Sequence, residues 1–109
     1  MDEVVATPRA QLRVAPDPDS GGLAAVLGGE LDVAGVADVA APLADLLARE
    51  AQPLVLDLAD LRFLDSSGVA VLIRLANRFA PVRTRAAEPP VRRVIEVLGL
   101  ADRLGLDGA

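Results

Sequence analysis

The side chains with the greatest chemical potential in this sequence stand together at Asp65-Ser66-Ser67-Gly68. A branched-aliphatic run, Leu-Val-Leu-Asp-Leu at 54–58, precedes them and reads as a buried strand. After them Val69, Leu72, Ile73, Ala76 and Phe79 fall on one helical face. Two hydroxyls and a carboxylate therefore lie at a helix entrance, beside unpaired N–H groups and the positive end of the dipole. Groups placed there can cap the helix, accept a modification or meet a partner. From the residues alone, Ser66 is expected as the N-cap and Ser67 as an exposed first-turn residue. Asp65 either serves the helix start or takes part at the serines, and Gly68 permits close packing. A second acid, Asp32, reads as the N-cap of an earlier helical pattern.

The remaining chemistry is narrow. The sequence has no His, Cys, Tyr, Trp or Lys. That removes Ser-His-Asp and Ser-Lys nucleophile pairs, a thiolate or imidazole zinc site, and a Schiff-base lysine. Asp and Glu are the only acid–base groups left, and no pair of them has a context that raises a pKa. There is no glycine-rich, lysine-containing phosphate loop. The expectation is a binding protein, not an enzyme, with no cofactor and no metal.

Net charge is −5, which disfavours non-specific nucleic-acid binding. Residues 1–65 hold 12 acids and 4 arginines, while residues 66–109 hold 7 arginines and 4 acids. Arg74 and Arg78 are either solvated helix residues or part of a partner-facing surface beside the serine turn. No apolar run approaches the roughly 18–20 residues that cross a bilayer. Acids at Asp2 and Glu3 replace the basic start of a secretory signal, and the lack of Cys agrees with a cytoplasmic location away from membranes.

The elements that hold these groups follow in order within one domain spanning 1–109. Residues 1–9 read as a loose leader. Gln11–Ala15 and Leu23–Leu27 form a hairpin across the turn at 16–22. Val36, Ala37, Ala40, Leu43, Ala44 and Leu47 mark a helix up to about Glu50, either kinked at Pro42 or restarting there. Pro53 introduces the strand 54–58. After the central helix comes a tight exit, Phe79-Ala-Pro81, and a last strand at 82–86. Pro89-Pro90 opens a final helix with Val91, Val94, Ile95 and Leu98 buried and Gly99 as its C-cap. Leu104 and Leu106 pack down as the chain trails off. The order is β-β-α-β-α-β-α: an α/β fold with a mixed sheet of about four strands and helices packed on it. With only Phe63 and Phe79 aromatic, its core is aliphatic.

Four blocks in this order carry a family resemblance: Gly-Glu-Leu-Asp at 29–32, the strand 54–58, Phe63-Leu-Asp-Ser-Ser-Gly68, and Val91-Arg-Arg-Val-Ile-Glu-Val-Leu-Gly-Leu100. Over residues 10–106 the chain resembles STAS domains, and most of all the bacterial anti-sigma factor antagonists. The resemblance implies a partner-switching protein. Its unphosphorylated form binds an anti-sigma factor with serine kinase activity and so frees a sigma factor. Phosphorylation by that partner ends binding, and a PP2C-type phosphatase resets the switch. The family's phosphorylated position, the second serine, falls on Ser67, with Ser66 the lesser candidate. Asp32 and Asp65 fall near that position, and with Ser66, Ser67, Gly68 and Arg74 they make the expected docking surface of a monomer or weak homodimer. Two alternatives belong to the same resemblance: a scaffold subunit of a signalling complex, and a cytoplasmic subunit of a lipid or anion transporter. One departure stands out. The connection at Ala80-Pro81-Val82 is short for the family, so either the central helix is a turn shorter or the strand 82–86 is poorly formed.

Overall fold

Strand β1 (Ala10–Asp17) pairs antiparallel with β2 (Gly22–Leu31), placing Leu12 opposite Leu27 and Val14 opposite Ala25, in a computed structural model that describes residues 8–107. The hairpin closes on Asp17, whose carbonyl accepts from Gly21 N at 3.0 Å and whose Oδ2 accepts from Ser20 N at 3.2 Å. Both strands outrun the expected spans. Pro16 is tolerated because β1 is an edge strand and needs no second donor row.

The sheet continues with β3 (Leu54–Leu64) parallel to β2 and β4 (Val82–Arg85) parallel to β3, in the order β1-β2-β3-β4. The mixed sheet with helices packed on it confirms the α/β expectation, and among the described residues the helix expected after Asp32 is divided into two. β3 is 11 residues long, whereas the apolar run indicated only 54–58. Val26 pairs with Asp57 but Gly28 with Asp60, and Gly29 pairs with Leu61 but Glu30 with Phe63. Each shift adds a residue to β3, so its buried positions fall at Leu58, Leu61 and Leu64, out of the period of two.

Helices α1 (Val33–Asp38), α2 (Ala40–Leu47), α3 (Ser66–Arg78) and α4 (Pro89–Val97) complete the order. The helical pattern after Asp32 breaks at Val39 and restarts, with Pro42 in the first turn of α2. Proline has no N–H to offer Asp38, so the ladder is interrupted where one helix ends and the next begins. α2 stops at Leu47, short of Glu50, and Arg78 closes its end, donating from Nε to Leu47 O at 3.1 Å and from Nη2 to Arg49 O.

Leu12, Leu23, Leu27, Leu54, Leu56 and Leu58 from the sheet meet Leu43, Leu46, Leu72, Leu75, Val91 and Ile95 from the helices in one core. Burying a leucine fully stabilises by about 1.5–3 kcal/mol. Phe79 is the one aromatic in that core, since Phe63 is 48% exposed. Val71 and Leu75 are buried on α3 beside the expected stripe, in which Ile73 and Ala76 are only half-buried. The opposite sheet face leaves Arg13, Ala15, Arg83 and Arg85 exposed.

The C-terminal third corrects two expectations. Leu98 is 54% exposed, not buried, because the chain turns away there. Gly99 at φ +70° forms a Schellman end, with Gly99 N donating to Glu96 O and Leu100 N to Ile95 O, both at 3.0 Å. Nor does the chain trail off. Thr84 N donates to Gly105 O at 2.9 Å, Asp107 N to Thr84 O at 3.1 Å, and Thr84 Oγ1 to Leu104 O at 2.7 Å. Residues 105–107 thus pair with the edge of β4. The short connection is spanned by a cis Ala80–Pro81 peptide, after which β4 pairs with β3 over 4 residues, one fewer than expected, while α3 keeps 13. Of the expected leader, residues 1–7 lie outside the described residues, but Arg9 is fixed by the contacts described below.

Candidate functional site

Parallel strands present their carboxyl ends together, and β2 and β3 end on a registered pair, Leu31 and Leu64. The next residue on each is an aspartate in extended conformation: Asp32 at φ −101°, ψ −170°, and Asp65 at φ −111°, ψ −167°. Each starts a helix. Asp32 Oδ1 accepts from Gly35 N at 2.8 Å. Asp65 Oδ1 accepts from Ser67 N at 2.8 Å and from Gly68 N at 3.3 Å. Clefts at the carboxyl ends of parallel strands are where α/β folds place ligands.

Two glycines let these helix starts press on β2. A Cβ at Gly35 would stand 1.8 Å from Glu30 O, and one at Gly68 would stand 2.4 Å from Leu31 O and 2.6 Å from Leu64 Cδ1. Gly68 is buried, so it packs the site from beneath and does not face outward.

The cap of α3 is Asp65, which corrects the assignment of Ser66. A carboxylate one residue earlier reaches two N–H groups at once and leaves both serines inside the helix. Ser66 is the exposed first residue and Ser67 the half-buried second. No buried side-chain oxygen or nitrogen lacks a partner among the described residues, and neither serine hydroxyl is paired, so the Ser67 hydroxyl reaches solvent. Arg74 lies exposed, seven residues or almost two turns past Ser67, and so on the same side of α3. Arg78 is committed to the end of α2.

Arg9, which the sequence reading placed in the leader, is built into this site. Its Nε donates to Asp32 Oδ1 at 3.2 Å and Oδ2 at 3.1 Å, and its Nη2 to Asp32 Oδ2 at 2.5 Å and to Glu30 Oε2. The guanidinium first, and the Gly35 N–H second, hold the Asp32 carboxyl down at about 2. Asp32, and then Glu30, raise the pKa of Arg9 in return. The Arg9 backbone is fixed as well: its N–H donates to Asp38 Oδ2 at 2.6 Å and its carbonyl accepts from Glu30 N at 2.7 Å. Gly29 makes this approach possible at φ +85°, where a Cβ would stand 2.1 Å from Arg9 O. Arg9, Glu30, Asp32, Arg62 and Phe63 line an open depression beside the serine turn. Val33, at the start of α1, is 73% exposed.

The site therefore offers an accessible hydroxyl at a helix start and a collar of paired acids.

A family model described as Mlab, STAS domain, matches residues 17–106. Among solved structures, the chain is similar to an anti-sigma factor antagonist from Mycobacterium paratuberculosis, with a TM-score of 0.75, 22% identity, and coverage of 96% of this chain and 92% of that one. It is also similar to the anti-sigma factor antagonist SpoIIAA in its unphosphorylated form, with a TM-score of 0.65, 23% identity, and coverage of 91% of this chain and 88% of that one. No curated protein sequence matches. At these identities the structural likeness establishes the fold, and the family model establishes the membership. The chain belongs to the STAS domain family.

Proposed function

We propose that the chain is an anti-sigma factor antagonist whose docking is controlled by phosphorylation of Ser67. The observation that carries this reading is the placement of Ser67. Its hydroxyl is accessible in the first turn of α3, and its neighbours Asp65 and Asp32 cap adjacent helices. A phosphate adds about −1.5 to −2 charge. The helix dipole favours that charge locally, so the fold survives. Asp65 already holds the N–H groups of Ser67 and Gly68, so the phosphate joins an acidic rim that a partner must cover. Like charges pressed together there cost several kcal/mol, and each ~1.4 kcal/mol is tenfold in affinity.

In this reading the partner is an anti-sigma factor with serine kinase activity, a PP2C-type phosphatase restores the hydroxyl, and the setting is the cytoplasm. Asp32, Asp65, Ser66, Ser67 and Arg74 form the docking surface, and Gly68 shapes it from below. The test is a pull-down from native cell extract with wild type, Ser67→Ala and Ser67→Asp as baits, read by mass spectrometry. A small ATPase-like serine kinase recovered by the first two and lost by the third supports the reading. Identical recovery by all three removes Ser67 as the switch.

The matching family model is described by the name Mlab and not as an antagonist, which favours keeping a second reading: a STAS subunit of a larger signalling or transport assembly. Size-exclusion chromatography of the native complex separates the two. An antagonist runs as a monomer, weak dimer or small binary complex, and an assembly subunit runs in a large particle.

A further inference from the structure

We propose that Arg9 is the counter-ion of a phosphate on Ser67, leaving the Glu30–Asp32 carboxylates to pair with it. This rests on Ser67 as the modified residue and specifies how the site accommodates that modification.

Arg9 is anchored at both its backbone and its tip, but only the backbone is held within the fold. The N–H and carbonyl are held by Asp38 and Glu30, whereas the guanidinium rests on two surface carboxylates and its side chain is 46% exposed. Among the described residues it is the one cation bonded to the acids of this site. The path to Ser67 is short. Asp32 follows Leu31, Ser67 precedes Gly68, and Leu31 and Gly68 touch. Asp32 and Ser67 thus each lie one residue, about 3.8 Å of Cα path, from that contact, and the long Arg9 side chain ends on Asp32.

The charges around the turn show why the phosphate needs this residue. Among the described residues, Glu30 and Asp32 from β2 and its end, Asp38 from α1 and Asp65 before α3 face Arg9 and Arg62 at the depression, and Arg74 lies almost two turns further along α3. Asp65 already takes the N–H groups of Ser67 and Gly68, so the helix start has fewer donors to give. A guanidinium binds phosphate through two parallel N–H donors, a geometry that a dianion rewards more than a carboxylate does. Arg62 is exposed on β3 in the same depression and is the natural competitor.

The experiment uses the full chain with phosphoserine installed at position 67 during synthesis, so no kinase is involved. The second ionisation of the phosphate, near pH 6 when unperturbed, is followed by phosphorus NMR. It is compared in wild-type, Arg9→Gln, Arg9→Lys and Arg62→Gln backgrounds. The expected result is about threefold tighter proton binding by the phosphate in Arg9→Gln, a shift of about half a unit. Arg9→Lys recovers part of that shift and Arg62→Gln leaves the wild-type curve in place. Coincident curves for wild type and Arg9→Gln overturn the proposal, as does a shift that follows Arg62. Because the phosphate is installed directly, either negative result removes Arg9 alone and leaves the role of Ser67 to the pull-down.

Discussion

Gly68 rests directly on Leu31: a Cβ on the glycine would lie 2.4 Å from the leucine carbonyl oxygen. This one contact brings the starts of α1 and α3 side by side, because Leu31 precedes the cap of the first and Gly68 follows the cap of the second. The register of Leu31 with Leu64 sets Asp32 beside Asp65, and the missing methyl group at Gly68 lets Ser67 come close to both.

Gly68→Ala tests that contact. The nearest atoms include backbone, which cannot swing aside as a side-chain tip can. Overpacking of this kind costs about 1–3 kcal/mol, which for a domain of this size lowers Tm by roughly 4–8 °C per kcal/mol. Thermal unfolding followed by circular dichroism reads the change. A melt superimposable on wild type would mean that the helix start can lift from Leu31 freely.

The identity of the α3 cap gives a second prediction. Asp65→Ala removes the acceptor of two N–H groups and costs about 1 kcal/mol, within a range of about 0.5–2. Ser66→Ala removes an exposed first-turn hydroxyl and stays within about 0.5 kcal/mol of wild type. Urea denaturation of the two variants ranks them. The reverse ranking would return the cap to Ser66.

Local signals were legible in the sequence, and non-local ones were not. The hairpin, the aliphatic strand, the proline-opened α4 and the Asp32 cap each rest on residues a few positions apart. Asp65 and Ser66 are both cap-forming types, so residue type alone does not single out the cap of α3, which is Asp65. The second half of β3 was missed because two bulges break the alternation on which strand recognition depends. Arg9 carried no local signal, since its carboxylate partners lie 21 and 23 residues away. The pairing of residues 105–107 with Thr84 was hidden for the same reason. The serine turn was readable; the ion pair beside it needed the fold.

The Arg9–Asp32 pair predicts a pH dependence of stability. Asp32 has its carboxyl lowered from 3.8 to about 2 in the folded chain. A lowered carboxyl stabilises the fold fully above its unfolded value and loses that contribution as pH falls through the folded one. Wild type is therefore more stable than Arg9→Gln at pH 5, and the gap closes between about pH 4 and pH 2. Because the pair is exposed, the gap is small at high salt. Melting curves at pH 2, 3, 4 and 5 in low salt make the measurement, and a gap independent of pH would assign the Arg9 effect to packing instead.

Phe63 supplies the last prediction, and it separates docking from folding. An aromatic ring 48% exposed at the end of β3, beside the depression that contains Arg9 and Asp32, contributes little to the core. Val33, 73% exposed one residue after the Asp32 cap, offers a second apolar contact on the same rim. Large apolar anchors ringed by polar groups are where binding energy concentrates, and truncating one costs about 2 kcal/mol or more when it is buried by a partner. On the antagonist reading, Phe63→Ala weakens binding to the anti-sigma factor by about 30-fold while its unfolding midpoint stays near that of wild type. Ser67→Asp also loses affinity, but through repulsion, so its deficit shrinks as salt rises, whereas that of Phe63→Ala does not. Titration calorimetry at two salt concentrations distinguishes the two mechanisms. An unchanged affinity for Phe63→Ala would move the docking surface off the β3 end and onto the exposed side of α3 that carries Arg74.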